Sequence, residues 1–355
     1  MTTVSHVVNG TRHVSEALCQ RVSSAIEELD YQPNRIARGL RRRETHTIGM
    51  IIPDGTNPFF AEIARGIEDT SFKHNYSLFL CNSDGDVAKE LLYIGVLTEN
   101  RADGIILVSV ASGVQPILRI KSRSMPLVLV DRDLPGGEVD SMMADNEQGG
   151  WQATEYLISL GHRRIGCITG PSEFTPSANR VNGYRRALNE AGIAVDEALI
   201  IRGDFQCPGG CHAAQQFLDL ADPPTAIFAY NDLMAIRVMK AVRERGLRIP
   251  EDFSVVGFDD ICLAPYSDPP LTTIAQPKYE IGQQAAMMLF ERMHNRTKPA
   301  QRRLLETHLV IRQSTAAAKG VVSLSPDPAR KGVSEGESRH SQWKEGFAEG
   351  RRSGV

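Results

Sequence analysis

No apolar run in this 355-residue chain approaches the ~20 residues that a membrane-spanning helix needs, so no membrane span and no membrane partner are expected. The first residues are polar and helix-patterned rather than charged and then apolar, unlike a secretory leader, and the expected compartment is the cytoplasm. A net positive charge is also absent. A net charge of −3 argues against a generally basic nucleic-acid coat protein, and any DNA affinity has to come from a local patch. The six cysteines, at 19, 81, 167, 207, 211 and 262, lack the spacing of a secreted disulfide scaffold. Cys207-Pro-Gly-Gly-Cys211-His212 gathers two thiols and one imidazole, an incomplete metal site that reads more simply as thiols at a loop and a helix start. The sequence has no G-x-S-x-G elbow between a strand and a helix, and no P-loop, H-E-x-x-H or strand-linked G-x-G-x-x-G. Nothing in it calls for catalysis, a cofactor or a metal, so the expectation is a protein that is not an enzyme.

What is present is an ordinary globular balance, 41% hydrophobic and 23% charged, in a chain long enough for two domains and extensions. From Thr45 onward short apolar runs alternate with amphipathic stretches. THTIGMIIP (45–53), YSLFLCN (76–82), DGIILVSV (103–110), PLVLVDR (126–132) and SMMADN (141–146) read as strands, with helices at 58–74 and 86–100. The pattern then restarts with a helix over 148–160. RRIGCITG (163–170), LIIRGDF (199–205), TAIFAYN (225–231), FSVVGFDD (253–260) and TTIAQP (272–277) are the next strands, with helices at 179–191, 209–220, 232–245 and 279–294. RLLETHLVIRQS (303–314) closes the series. Strand, helix and strand at this pitch imply parallel sheets with right-handed crossovers. The predicted fold class is α/β: two doubly wound parallel-sheet lobes, with chain crossings near 146, 276 and 305. Residues 315–355, rich in Ser, Gly, Glu, Lys and Arg, are expected to be a disordered tail.

Ahead of the lobes lies a helical stretch in three pieces. Thr2 to Val8 carries Val4, Val7 and Val8 at helical spacing and stops at Asn9-Gly10. A second helix opens at Ser15-Glu16, where Ser15 can cap free N–H groups, and buries a stripe of Leu18, Val22, Ala25, Ile26 and Leu29. A third, Asn34 to Leu40, follows Pro33, and Arg35, Arg38, Arg41, Arg42 and Arg43 lie there with no acidic residue before Glu44. Feature by feature this suits a plain helical bundle with a solvated arginine run.

Taken together, TVSHVVNGTRHVSE followed by RV–AIEEL–Y–PN–IAR–L closely resembles the DNA-binding headpiece of the LacI/GalR family of bacterial repressors. The resemblance implies a recognition helix at Thr2 to Val8 in the major groove, with Thr2 and His6 as base readers and Met1 at a third such position. Thr3, Ser5 and Asn9 complete the implied DNA-facing set on that helix. It implies a hinge helix at Asn34 to Leu40, with Leu40 wedged into the minor groove and Asn34, Arg35 and Arg38 on the DNA. Family headpieces carry about one more helix and a turn before this point. The expectation is therefore a start upstream of Met1, with a headpiece-truncated chain as the alternative. The implied organisation is a partial, all-α helix-turn-helix headpiece over 1–33, hinge and linker over 34–44, and a two-lobed effector-binding and dimerisation domain over 45–314. Lobe 1 would take about 45–146 and 277–304, and lobe 2 about 147–276 and 305–314.

The lobes are similar to periplasmic sugar-binding proteins and to the effector domains of the same family. NPFF, LVDR, GHRRIG–ITGP, NRVNGY, NDLMA, VVGFDD and LTTIAQP follow one another in the expected order. Ligands of open α/β sheets sit beyond the carboxyl ends of the strands. Asn57, Phe59, Phe60, Asp131, Arg132, Arg180, Asn231, Asp259 and Gln276 fall at such ends or crossings, with Ser109 and Asp145 as further candidates. Carboxylates accept from vicinal hydroxyls, guanidinium donates, and aromatic faces can sandwich a sugar ring. The set resembles the pocket of ribose-binding proteins more than that of a purine repressor. Read singly, Phe59 and Phe60 are equally good core aromatics, Asp131-Arg132 a structural ion pair, and Asp259-Asp260 a turn cap. Phe174, Thr175 and Pro176 are expected to tune which ligand enters. The implied partners are double-stranded operator DNA, a sugar-like small-molecule effector and a second copy of the chain. A cytoplasmic sensor lacking a headpiece and a solute-binding protein are the alternatives.

Overall fold

The computed structural model describes residues 3–9, 12–29, 44–108, 113–134, 136–170, 176–205 and 207–319. It begins with two helices, α1 (Thr3–Asn9) and α2 (Glu16–Glu28). The stripe expected on α2 is only half sheltered: Leu18, Val22 and Ile26 are partly covered, Ala25 is exposed, and Leu29 is 75% exposed. The seven residues of α1 are too few to cover a helix nearly twice as long. Ser15 also departs from expectation. Its side chain makes no cap, and its carbonyl instead accepts from Leu18 and Cys19 N–H. The hinge helix expected at 34–40 and the tail beyond 319 lie outside the described residues.

After Glu44 the chain builds two six-stranded sheets of the same winding. In lobe 1 these are β1 (Thr47–Ile52), β2 (Ser77–Asn82), β3 (Gly104–Val108), β4 (Leu127–Val130), β5 (Asp140–Ala144) and β11 (Arg302–Leu305), in the order β11-β5-β4-β3-β1-β2 and all parallel. In lobe 2 they are β6 (Ile165–Thr169), β7 (Ile200–Arg202), β8 (Ala226–Ala229), β9 (Ser254–Asp259), β10 (Thr272–Ala275) and β12 (His308–Val310), in the order β12-β10-β9-β8-β6-β7. There only β12 runs antiparallel to its neighbour. The closing run thus forms two strands, one per sheet, with Glu306 and Thr307 crossing between them.

Helices cover both faces of each sheet, which is why the strands read as near-continuous apolar runs. In lobe 1, Ile48, Met50 and Ile52 of β1 pack under α3 (Pro58–Lys73) and α10 (Lys278–His294). Ile51, on the alternate face, packs with Ile94 of α4 (Val87–Glu99) and Ile117 of α5 (Gln115–Ser122). In lobe 2, Phe228 and Phe258 face α6 (Asn146–Ser159) and α7 (Ser177–Glu190). Ile227 and Val255 face α8 (Cys207–Leu218) and α9 (Asp232–Glu244).

The helices that follow two of the crossings are seated by the same device. A Cβ on Gly66 of α3 would lie 2.1 Å from the Tyr279 carbonyl oxygen, and one on Gly282 of α10 would lie 2.2 Å from that of Ile63. In lobe 2, a Cβ on Gly150 of α6 would lie 2.3 Å from the Arg180 carbonyl oxygen, and one on Gly183 of α7 would lie 2.1 Å from that of Glu147. Backbones this close cannot slide past each other, so α10 moves with α3 and α7 with α6.

The folded chain continues past Ser314. Ala316 accepts from or donates to the His162–Ser254 cluster, Ala318 N–H donates to the Leu160 carbonyl, and Lys319 pairs with Asp252. The first residues of the expected tail therefore belong to lobe 2. Cys207 and Cys211 lie on the first turns of α8, and no group able to hold a metal occurs among the described residues.

Candidate ligand cleft and nucleic-acid interface

The carboxyl ends of both sheets deliver side chains to one cleft. It is lined by Asn57, Phe59, Phe60 and Asp131 from lobe 1 and by Arg180, Phe205, Tyr230, Asn231 and Asp259 from lobe 2. Its free volume is about 20 Å³, room for about one water, so a sugar-sized molecule enters only when the lobes part.

Each lining residue is placed by local structure. Asn57 caps α3, its Oδ1 accepting from Phe59 N–H at 3.0 Å, and Pro58 fits the first helical position. That turn sets Phe59 and Phe60 edge to face with centroids 5.1 Å apart; both are buried in the lobe 1 core while lining the cleft, so the packing and binding readings hold together. Asn231 caps α9 through Met234 N–H and donates its Nδ2 to the Phe205 carbonyl. Asp131 follows β4 and Asp259 ends β9, at φ of +53° and +111°, a region costly for residues with side chains, and both line the cleft.

One guanidinium acts on both carboxylates. Arg180, 2% exposed on the first turn of α7, donates Nε to Asn146 Oδ1 at 2.8 Å and Nη1 to the Tyr230 carbonyl at 2.5 Å. Its Cζ lies 4.1 Å from the Tyr230 ring centroid and 3.7 Å from that of Phe258, so aromatic faces hold the cation on two sides. Asp259 Oδ1 is 3.7 Å from Nη1. Burial raises the pKa of Asp131 to about 7; Arg180 opposes the rise, while the Asp259 charge adds to it. Burial likewise raises Asp259, against the pull of Arg180, Lys278 and a hydrogen bond from Gln276.

Seven of the nine residues expected at the pocket line this cleft. Gln276 stands one step behind, donating Nε2 to Asp259 Oδ1 at 2.7 Å. Arg132 turns away and donates to the Gly113 carbonyl at 2.9 Å, beside the buried Glu90, so it neither lines the cleft nor pairs with Asp131. The backbone reversal at Asp131 sends neighbouring side chains in opposite directions. Asp145 is a helix cap, accepting from Gln148 N–H. Ser109, Phe174 and Thr175 lie outside the described residues. Phe205 and Tyr230 line the cleft without having been expected there, although both follow strands as Asp131 does. Being apolar or amphipathic, they looked like core.

On the headpiece, Thr3 is exposed at the start of α1 and His6 is partly covered one turn on. The side chains of Ser5 and Asn9, and residues Thr2, Asn34, Arg35, Arg38 and Leu40, lie outside the described set.

A pair of doubly wound lobes around a polar cleft, preceded by short helices, defines a periplasmic-binding-protein-like ligand-binding unit with a helical headpiece. Residues 154–315 match the model for a periplasmic binding protein-like domain, and residues 1–34 match that for bacterial regulatory proteins of the lacI family. The chain is 42% identical over 317 residues to the HTH-type transcriptional repressor PurR of Photobacterium profundum, covering 88% of this chain and 94% of that protein. It is equally identical, over 314 residues, to the ribose operon repressor of Escherichia coli strain K12, covering 88% and 95%. A LacI family transcriptional regulator from Enterococcus faecium, solved with bound ribose, superposes with a TM-score of 0.70 at 35% identity, over 77% of this chain and all of that one. The chain belongs to the lacI family of bacterial regulatory proteins. It is accordingly a ligand-responsive, DNA-binding transcriptional regulator.

Proposed function

We propose that this regulator represses genes of carbohydrate uptake or catabolism in the cytoplasm and responds to a small neutral sugar, of which D-ribose is the leading candidate. The observation that carries the reading is the cleft's charge pattern: one carboxylate from each lobe, Asp131 and Asp259, shares the single guanidinium of Arg180 among aromatic walls. Such a site asks for several hydroxyl donors around a flat, uncharged ring. It offers little to sugar phosphates and sugar acids, because its one guanidinium is already engaged by Asn146, the Tyr230 carbonyl and Asp259. A purine base, the competing class raised by the PurR relatives, offers fewer donors to those carboxylates. The relative solved with ribose adds support.

The DNA-binding set is Thr2, Thr3, Ser5, His6 and Asn9 on the recognition helix, with Asn34, Arg35, Arg38 and Leu40 in the hinge. The working form is a homodimer on a pseudo-palindromic operator. One edge of lobe 1 carries exposed apolar side chains that a second copy would cover: Phe72 on α3, Phe79 and Leu80 on the edge strand β2, and Leu92 and Val96 on α4. Ligand binding changes the lobe angle and biases the hinge; a coupling of ~1–3 kcal/mol is enough for the switch.

Calorimetry with D-ribose, other pentoses, hexoses, purine bases and ribose 5-phosphate tests the effector class. DNA fragments selected by the protein from a random pool test the operator response. Tight binding of a purine base with no response to any neutral sugar overturns the sugar reading.

A further inference from the structure

Lys278 opens α10 immediately after the crossing from lobe 2 to lobe 1, and it is only 5% exposed. An ammonium at that depth needs partners. Its Nζ donates to the backbone carbonyls of Asp259 at 2.7 Å and Asp260 at 2.8 Å, and lies 3.5 Å from a Glu62 carboxylate oxygen. Asp259 ends β9 in lobe 2 and Asp260 follows it, whereas Lys278 and Glu62 belong to α10 and α3 of lobe 1. Both acceptor residues sit at positive φ, +111° and +53°, so the turn that aims them at one ammonium is costly by itself. The side chain of the first, Asp259, is a cleft carboxylate, and that of the second is held by Arg312 at 2.6 Å.

We propose that Lys278 is the positioning residue that couples the effector cleft to the angle between the lobes. Held on lobe 1, it fixes the Asp259–Asp260 turn of lobe 2, aims the Asp259 carboxylate into the cleft, and passes any movement of that turn back to lobe 1. The path of transmission is short. Gly66 and Gly282 lock α10 to α3, and α3 begins with Asn57, Phe59 and Phe60, the opposite wall of the same cleft. Glu62 stands one turn along from those aromatics and faces the same ammonium. A ligand that draws Asp259 toward itself therefore moves Nζ, α10 and the aromatic wall as one body. The effector's identity rests on the neutral-sugar reading above; the tether does not.

The test uses the full chain with Lys278→Met, which keeps the length and removes the donor, Lys278→Arg, which keeps the charge, and Glu62→Gln, at a half-exposed position where the fold is not at stake. One spin label on an exposed site of each lobe reports the inter-lobe distance without ligand. Calorimetry reports D-ribose affinity, and binding to the selected DNA with and without saturating D-ribose gives the coupling ratio. Lys278→Met is expected to broaden and lengthen the distance distribution, weaken D-ribose by roughly tenfold or more, and bring the coupling ratio toward one. Lys278→Arg should recover most of the ratio, and Glu62→Gln should broaden the distances partially. A merely structural lysine would lower the melting temperature of Lys278→Met while leaving distances and ratio as in the wild type, and that result overturns the proposal. If wild-type protein ignores D-ribose, the sugar reading falls and the distances still decide the tether. If Lys278→Met does not fold, wild-type distances in Glu62→Gln overturn it.

Discussion

The two lobes share a winding and a Gly–Gly helix seat, yet they meet the cleft with different chemistry. Lobe 2 arrives assembled: Arg180 is fixed by Asn146, the Tyr230 carbonyl and two aromatic rings, and Asn231 ties down Phe205. Lobe 1 brings an aromatic pair and one strained carboxylate, with no cation of its own among the lining residues. Their outer edges differ as well. Phe79 and Leu80 stand open on β2, whereas β7, its counterpart in lobe 2, has two partly covered isoleucines and one exposed arginine. Equal folds thus carry unequal tasks. In the function proposed above, lobe 2 holds the ligand's polar partners in place, and lobe 1 supplies the wall that moves and the face for a second copy.

The sharpest way to break this asymmetry is to empty the assembled side. Arg180→Ala leaves Asp131 and Asp259 in a buried space without the guanidinium that acts on both; removing one partner of such a group costs about 3–5 kcal/mol. The expected outcome is loss of sugar binding by at least ~100-fold with a lowered melting temperature. Calorimetry and thermal unfolding check both, and near-normal sugar affinity would move the site elsewhere. On the opposite edge, Phe79→Asp places a charge on the open strand of lobe 1. It should shift the dimer to monomer by sedimentation velocity and reduce operator affinity by at least ~10-fold, because half-sites are then bound one at a time, while sugar affinity stays close to wild type. The equivalent charge on β7, Ile201→Asp, should leave the oligomeric state alone. Dissociation by that change instead would reverse the assignment of faces.

The winding was legible because buried parallel strands announce themselves as apolar runs at βα pitch, and the three crossings fall where the strand texture restarts. Asp131, Arg180 and Asp259 were legible because charged residues at strand ends and helix starts have no reason to be there as core. Arg132 was not, since the sequence cannot show that φ of +53° at Asp131 turns the next side chain toward Gly113. Phe205 and Tyr230 escaped for the opposite reason: an aromatic residue at a strand end looks the same whether it faces core or cleft. Lys278 escaped because a lysine opening a helix reads as solvated, and only the folded chain brings the carbonyls of Asp259 and Asp260 to its ammonium.

A smaller, graded effect separates the two carboxylates. Asp131 titrates near 7 in the folded protein against 3.8 as its ordinary value, so its charged form is disfavoured by folding. Its contribution to the stability of the empty protein is present below pH 4 and is lost as pH rises through about 7. A sugar whose hydroxyls donate to the carboxylate prefers the ionised form, so effector affinity should rise by up to ~10-fold per pH unit between 5 and 7 and level off above. Asp131→Asn should flatten that profile in calorimetry. A wild-type affinity independent of pH over this range would show that binding does not favour the ionised Asp131 carboxyl, and would overturn this prediction.

Gln276→Ala is the mildest change and the most discriminating. The side chain does not line the cleft; it donates one hydrogen bond to Asp259, which keeps Arg180 at 3.7 Å and the backbone hold of Lys278. Losing a single charge-assisted bond of this kind costs about 1.5–3 kcal/mol when nothing replaces it, and less here because the carboxylate retains other partners. The expected effect is a weakening of sugar binding of roughly 3- to 10-fold, with the melting temperature of the empty protein nearly unchanged. Burial already raises the Asp259 pKa, and removing the bond that opposes the rise should shift the affinity profile further toward high pH. If Gln276 instead touches the sugar directly, as its family position implies, affinity should fall to the same degree at every pH. The pH dependence of this one variant therefore tells a residue that aims a carboxylate from one that holds the ligand itself.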